Sequence, residues 1–153
     1  MYSRKKFVEY APLIVKWIDH MFEHAHEKKW YETYWAFDIH GTILNPHKYS
    51  NELTMDYYQY AKETLQLLST RDDIIMFLFT SSHPNEVEFY QKNFKKDNIN
   101  FKYINCNPEV SEDNGAFGYY KTKPYYNVLF EDKAGFNLNK EEEWKWLHQY
   151  IEY

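Results

Sequence analysis

Tyr34–Leu44 reads YWAFDIHGTIL. An apolar run, Trp35-Ala36-Phe37, stops at Asp38, and His40, Gly41 and Thr42 follow. A short apolar run closed by a turn signal is how a buried strand reads. An acid at its end is costly to bury unless it is paired or binds a cation. Open α/β sheets place their ligands at the C-terminal ends of parallel strands. Asp38 is therefore the first candidate for chemistry, and Gly41 supplies the sharp exit from the sheet.

The stretches on either side extend this pattern. IIMFLF (74–79) is a second unalternating apolar run, ending in Thr80, Ser81 and Ser82. Such a run suits a parallel strand covered on both faces. FKYI (101–104) reads as a short third strand, and NVLF (127–130) as a fourth, ending in Glu131-Asp132. Between them, helices are expected over about 54–69, with Thr54 as N-cap, over 84–96 with Pro84 in the first turn, and from Lys140 to about Tyr150. Alternating strands and helices predict a parallel α/β sheet with right-handed crossovers.

Upstream, residues 3–29 carry an apolar stripe at helical spacing, interrupted by Pro12, which predicts a kink or two short helices. His20 and His24 stand four apart there, with Glu27 nearby. No third strong ligand is evident, and a solvated helix face is the better reading.

The 153 residues suit one domain, 1–153, with residues 1–30 as a helical addition. Apolar residues make up 44% of the chain, so it is globular. The 16 Tyr, 11 Phe and 5 Trp predict wide aromatic packing and a candidate contact surface. A net charge of −5 argues against general nucleic-acid binding and against attraction to anionic membranes. With Cys106 alone there is no intramolecular disulfide. No uninterrupted h-region follows the N-terminus, and no run reaches the ~18 apolar residues of a membrane span. A cytoplasmic protein of a reducing compartment is the expectation.

Three strand ends thus carry polar groups on one edge: Asp38, Thr80 with Ser81, and Glu131 with Asp132. Carboxylates and a backbone carbonyl are hard ligands suited to Mg²⁺. A hydroxyl and backbone N–H groups can hold phosphate oxygens. Lys123, just before the fourth strand, supplies positive charge, with Lys121 as its alternate. Together these are the parts of a phosphoryl-transfer site.

In this set the sequence resembles the haloacid dehalogenase (HAD) superfamily. FDIHGTI resembles its DxDGT motif, IIMFLFTSS its strand ending in Thr or Ser, Lys123-Pro124 its lysine, and NVLFED its strand ending in paired acids. The resemblance implies a three-layer Rossmann-like HAD fold with strand order 3-2-1-4. It also implies an Mg²⁺-dependent phosphomonoester hydrolase working through an aspartyl phosphate. Asp38 would be nucleophile and metal ligand. The carbonyl of His40 and a carboxylate, Asp132 in preference to Glu131, would complete the ligands. Thr80, Ser81 and Lys123 would hold the phosphoryl group beside Gly41 and Thr42.

His40 stands where the family's phosphatases carry the second Asp, the acid–base. Imidazole, with a reference pKa of ~6.5, can do that work. The alternative is a catalytically weak or inactive domain that binds a phosphorylated ligand or a protein partner. A third reading is transfer of the phosphoryl group to an acceptor other than water. Neither gap between motifs leaves room for a cap domain, so only loops 43–52 and 105–122 can form a partial lid. His47 and His83 lie on loops near the expected mouth. Expected partners are a phosphorylated small molecule, nucleotides included, and a second copy met through the N-terminal helix or the aromatic surface.

Overall fold

The computed structural model describes residues 3–46, 52–111, 118–138 and 142–152. His47, the rest of the loop through residue 51, and the expected start of the last helix at Lys140 lie outside them. Four strands, β1 (Thr33–Phe37), β2 (Ile74–Leu78), β3 (Tyr103–Ile104) and β4 (Val128–Phe130), form a parallel sheet ordered β3-β2-β1-β4. This is the order that the family resemblance implies. Phe37 pairs with Leu78 on one side and with Phe130 on the other, so three strands finish level. The ladders run slightly past the strands. Asp38 N–H donates to Phe130 O at 2.9 Å, and Phe79 N–H to Phe37 O at 2.8 Å.

The N-terminal segment is two helices, α1 (Arg4–Tyr10) and α2 (Leu13–Lys28), parted at Pro12. Ser3 caps the first: its Oγ accepts from Lys6 N–H. Val15, Ile18, Met21 and Ala25 are the buried stripe of α2. Arg4 donates to Asp19 at 2.8 Å and to the Tyr150 hydroxyl at 2.7 Å, which ties this addition to the last helix. The apolar stripe is therefore used inside the chain's own core.

α3 (Ala61–Ser69) is much shorter than the helix expected over 54–69, and Thr54 does not cap it. Tyr60 precedes it with φ of +66°, a left-handed conformation that no helix continues through. The upstream backbone is used elsewhere. Asn45 N–H donates to Asp56 O at 2.8 Å, and Tyr58 N–H to Ile43 O at 3.0 Å. The loop after β1 thus takes the hydrogen bonds that a longer helix would have needed. α4 (Pro84–Lys96) starts on its proline as expected, and α5 (Glu142–Glu152) closes the described chain.

Odd positions of β1 face the helices. Phe37 stacks on Phe130 with ring centroids 4.3 Å apart, and Trp144 of α5 stacks on Phe130 at 6.0 Å. Even positions face the opposite side, where Tyr125, in the connection between β3 and β4, meets Tyr34 edge-on at 6.0 Å. No helix among the described residues is long and apolar enough to cross a membrane.

Candidate active site

β1 delivers Asp38 to the level edge of the sheet, and the chain then turns tightly. The Ile39 carbonyl accepts from the N–H groups of Thr42, Ile43 and Leu44, and Gly41 N–H donates to Leu44 O at 2.8 Å. Gly41 has φ of +80°, and a Cβ there would stand 2.5 Å from Asp132 Oδ2. Only glycine both makes this turn and leaves room for that carboxylate.

Thr42 is fully buried behind the edge. Its hydroxyl donates to Asp38 Oδ2 at 3.2 Å and accepts from Asp132 N–H at 3.1 Å. Its carbonyl accepts from Trp144 Nε1 at 2.9 Å. The sequence places Thr42 beside a bound phosphoryl group; in the structure it joins the two acids from behind.

Asp38, Glu131 and Asp132 each present a carboxylate oxygen, all within 4.8 Å of one another. The period of a strand suggests that Glu131 and Asp132 point to opposite sides. They do not, because β4 ends at Phe130 and the chain enters a 3-10 turn over Asp132–Ala134. Glu131 caps that turn, accepting from Lys133 N–H at 3.3 Å. Among the described residues no lysine or arginine is ion-paired with any of the three acids. Burial pushes the Glu131 carboxyl up to about 7, helped by its hydrogen bond with Asp132 and by the charge of Asp38. Burial also raises Asp38, and the Ile39 N–H and the Thr42 hydroxyl oppose that. Three hard oxygen donors this close, with no positive partner, fit a small divalent cation.

This arrangement has a consequence for stability without metal. The folded protein holds the Glu131 proton up to about pH 7, whereas the unfolded chain releases it near 4.5. The cost of ionising this buried carboxylate is then absent below the lower value, grows as pH rises toward the upper one and is constant above it. In EDTA the melting temperature is therefore expected to fall between pH 5 and 7.5, and added Mg²⁺ to raise it more at pH 7.5 than at pH 5. A melting temperature flat in pH with EDTA would contradict this, and calorimetry checks it.

Thr80 follows β2. Asn105, at the end of β3, clamps its backbone: Oδ1 accepts from Thr80 N–H at 2.8 Å, and Nδ2 donates to Thr80 O at 2.9 Å. The Thr80 hydroxyl accepts from Ser82 N–H at 3.1 Å and lies 3.0 Å from the Ser82 hydroxyl. The sequence signal for Asn105 existed. It is the polar residue that ends FKYI, as Asp38 and Thr80 end their strands.

A cavity of about 550 Å³ gathers Asp38, His40, Phe79, Thr80, Ser81, Ser82, Asn105, Glu131, Asp132 and Lys133. Lys123 does not line it: its ammonium lies 5.6 Å over the Tyr126 ring. Tyr126 in turn lies 6.5 Å from the ring of Phe79. The lysine in the cavity wall is Lys133, one residue past the paired acids, where no sequence motif marks it. His40 Nε2 lies 2.7 Å from the hydroxyl of Tyr90, a fully buried residue of α4. That bond fixes the ring's orientation. His83 is the exposed N-cap of α4. His20 and His24 rest against Trp17 and Trp30, with centroids at 5.6 and 5.3 Å, and they belong to no ligand cluster among the described residues.

No protein-family model and no curated protein matches the chain. Its structure is similar to that of a conserved protein of Bacteroides thetaiotaomicron. The TM-score is 0.56 at 18% identity, over 79% of this chain and 90% of that one. At that identity the likeness carries the fold alone, an α/β domain built on a parallel sheet.

Proposed function

We propose that this chain is an Mg²⁺-dependent phosphomonoester hydrolase similar to the HAD phosphatases. The supporting observation is that three carboxylates and the Thr80 turn, contributed by separate strand ends, share one cavity. Asp38, Glu131 and Asp132 are the residues that would hold Mg²⁺, with the His40 carbonyl as a further donor. When bound, the ion offsets repulsion between the carboxylates and the phosphoryl oxygens.

In this reading Asp38 attacks phosphorus and the ester P–O bond breaks. The leaving oxygen takes a proton from His40. His40, now neutral, takes a proton from the water that attacks the aspartyl phosphate, which releases phosphate and restores Asp38. The Ser81 N–H, the hydroxyls of Thr80 and Ser81, and Lys133 hold the phosphoryl oxygens; the Thr80 N–H stays with Asn105, and Lys123 lies outside the cavity wall.

The His40–Tyr90 bond also favours a second reading. With Nε2 engaged, proton transfer falls to the other ring nitrogen, and a domain that binds a phosphorylated ligand and turns it over weakly is the alternative. Hydrolysis of an aryl phosphate from pH 5 to 8, with Mg²⁺ or EDTA, separates the two. The hydrolase is expected to turn over only with Mg²⁺, and His40→Asp to keep or raise that rate. Phosphate bound without turnover in either protein would select the binding domain.

A further inference from the structure

Asn105 follows β3 with its backbone in the left-handed region, at φ of +54°. Asparagine tolerates that conformation better than most residues do. Its own N–H donates to Leu78 O at 2.7 Å, so the backbone alone already ties the ends of β2 and β3 together. The side chain goes further. Asn105 is exposed, yet its amide turns from solvent to a single residue: Oδ1 accepts from the Thr80 N–H and Nδ2 donates to the Thr80 carbonyl. A residue that only finished the sheet edge would not need this pair. An exposed amide also gains little stability by exchanging water for protein.

This pair of bonds sets a direction. β2 lies between β3 and β1, and both polar backbone groups of Thr80 are turned toward β3. The peptide that joins Thr80 to Ser81 is trans. In a trans peptide the carbonyl and the following N–H point in opposite directions. Holding the Thr80 carbonyl toward β3 therefore aims the Ser81 N–H away from β3, to the side on which β1 ends in Asp38. The next N–H of the turn is spent as well, because Ser82 donates to the Thr80 hydroxyl. Of the N–H groups of Thr80, Ser81 and Ser82, only that of Ser81 meets no acceptor among the described residues. Ser81 and Asn105 line the same cavity as Asp38.

We propose that Asn105 is a positioning residue: by clamping the Thr80 peptide, it aims the Ser81 N–H at an anionic oxygen held opposite Asp38. In the hydrolase reading, on which this rests, that oxygen belongs to the phosphoryl group. An N–H that grips the phosphoryl oxygen in substrate and product alike supports the binding of both. Loss of the clamp therefore acts on KM and on phosphate affinity more than on kcat.

Asn105→Gly tests it, because glycine removes the clamp and adopts the left-handed backbone without strain. Two probes are used with Mg²⁺ present, inorganic phosphate and an aryl phosphate. In the unaltered protein, phosphate is expected to move the Ser81 amide proton downfield in the NMR spectrum. In Asn105→Gly that shift should shrink, and the phosphate Kd and the KM for aryl phosphate should both rise roughly tenfold, the scale of one lost hydrogen bond to a charged group. The kcat should stay within a factor of about three. A Ser81 amide in the unaltered protein that does not respond to phosphate would overturn the proposal, and so would an unchanged phosphate Kd in Asn105→Gly. A lower kcat at unchanged KM, together with a lower melting temperature, would mark a merely structural residue and also overturn it. Phosphate binding that weakens in Asn105→Gly, in a protein that hydrolyses nothing, would support the clamp and remove the hydrolase reading alone.

Discussion

Replacing Asp38 by Asn is expected to remove Mg²⁺-dependent phosphate release, a loss on the order of 10³-fold or more. The change is nearly isosteric. The backbone bond from residue 38 to Phe130 O remains, and the amide oxygen can still accept from the Thr42 hydroxyl. What disappears is the nucleophile and one negative charge among three. Burial already raises the proton affinity of Asp38, so its charge is a cost to the folded protein when no cation is bound. Asp38→Asn should therefore melt higher than the unaltered protein in EDTA at pH 7.5, while losing turnover. A functional residue that holds stability below its attainable value has this signature. Phosphate release from an aryl phosphate and thermal melting read the two effects separately. Residual Mg²⁺-dependent turnover near the unaltered rate would remove Asp38 from the nucleophile's role.

Trp144→Ala is expected to cost about 3–5 kcal/mol. Set against the ~5–15 kcal/mol that typically holds a domain together, that is enough to unfold a marginal one. Trp144 is fully buried, stacks on Phe37 and Phe130, and meets Phe136 edge-on at 5.1 Å. Its removal leaves a cavity beneath the centre of the sheet. Trp144→Phe separates packing from hydrogen bonding. It keeps a ring but leaves the Thr42 carbonyl without its indole donor, a cost of about 1–3 kcal/mol. Thr42 holds Asp38 to the backbone at Asp132, so the rise in melting temperature on adding Mg²⁺ should shrink in Trp144→Phe. Urea melts with and without Mg²⁺ measure both quantities. A Trp144→Phe protein with unchanged stability and an unchanged Mg²⁺ response would show that the indole bond supports nothing at the site.

Local causes account for the elements on which sequence and structure agree. Pro12 divides the N-terminal segment because a proline cannot continue a helix, and Pro84 opens α4 because its ring suits the first turn. β1 and β2 were legible as unalternating apolar runs. The reading of α3 failed from the same kind of signal. Tyr57 and Tyr58 have helical spacing with Ala61 and Leu65, but their backbone is bonded to the loop after β1. Hydrogen bonds made across the chain overrode local periodicity there. The divergence expected for Glu131 and Asp132 failed because strand alternation ends where the strand does.

The order of the elements, the parallel sheet and the residues at its strand ends follow from local sequence signals. Period, turn chemistry and a polar residue after an apolar run act within a few positions of the chain. What those residues meet depends on contacts made across the folded chain. Thr42 reaches Asp132 across 90 positions, His40 reaches Tyr90 across 50, and Asn105 holds Thr80 across 25. Such pairs depend on strand register and on how each chain leaves the sheet. The same side chains in the same order, under a different exit turn after β4, would keep the acids apart.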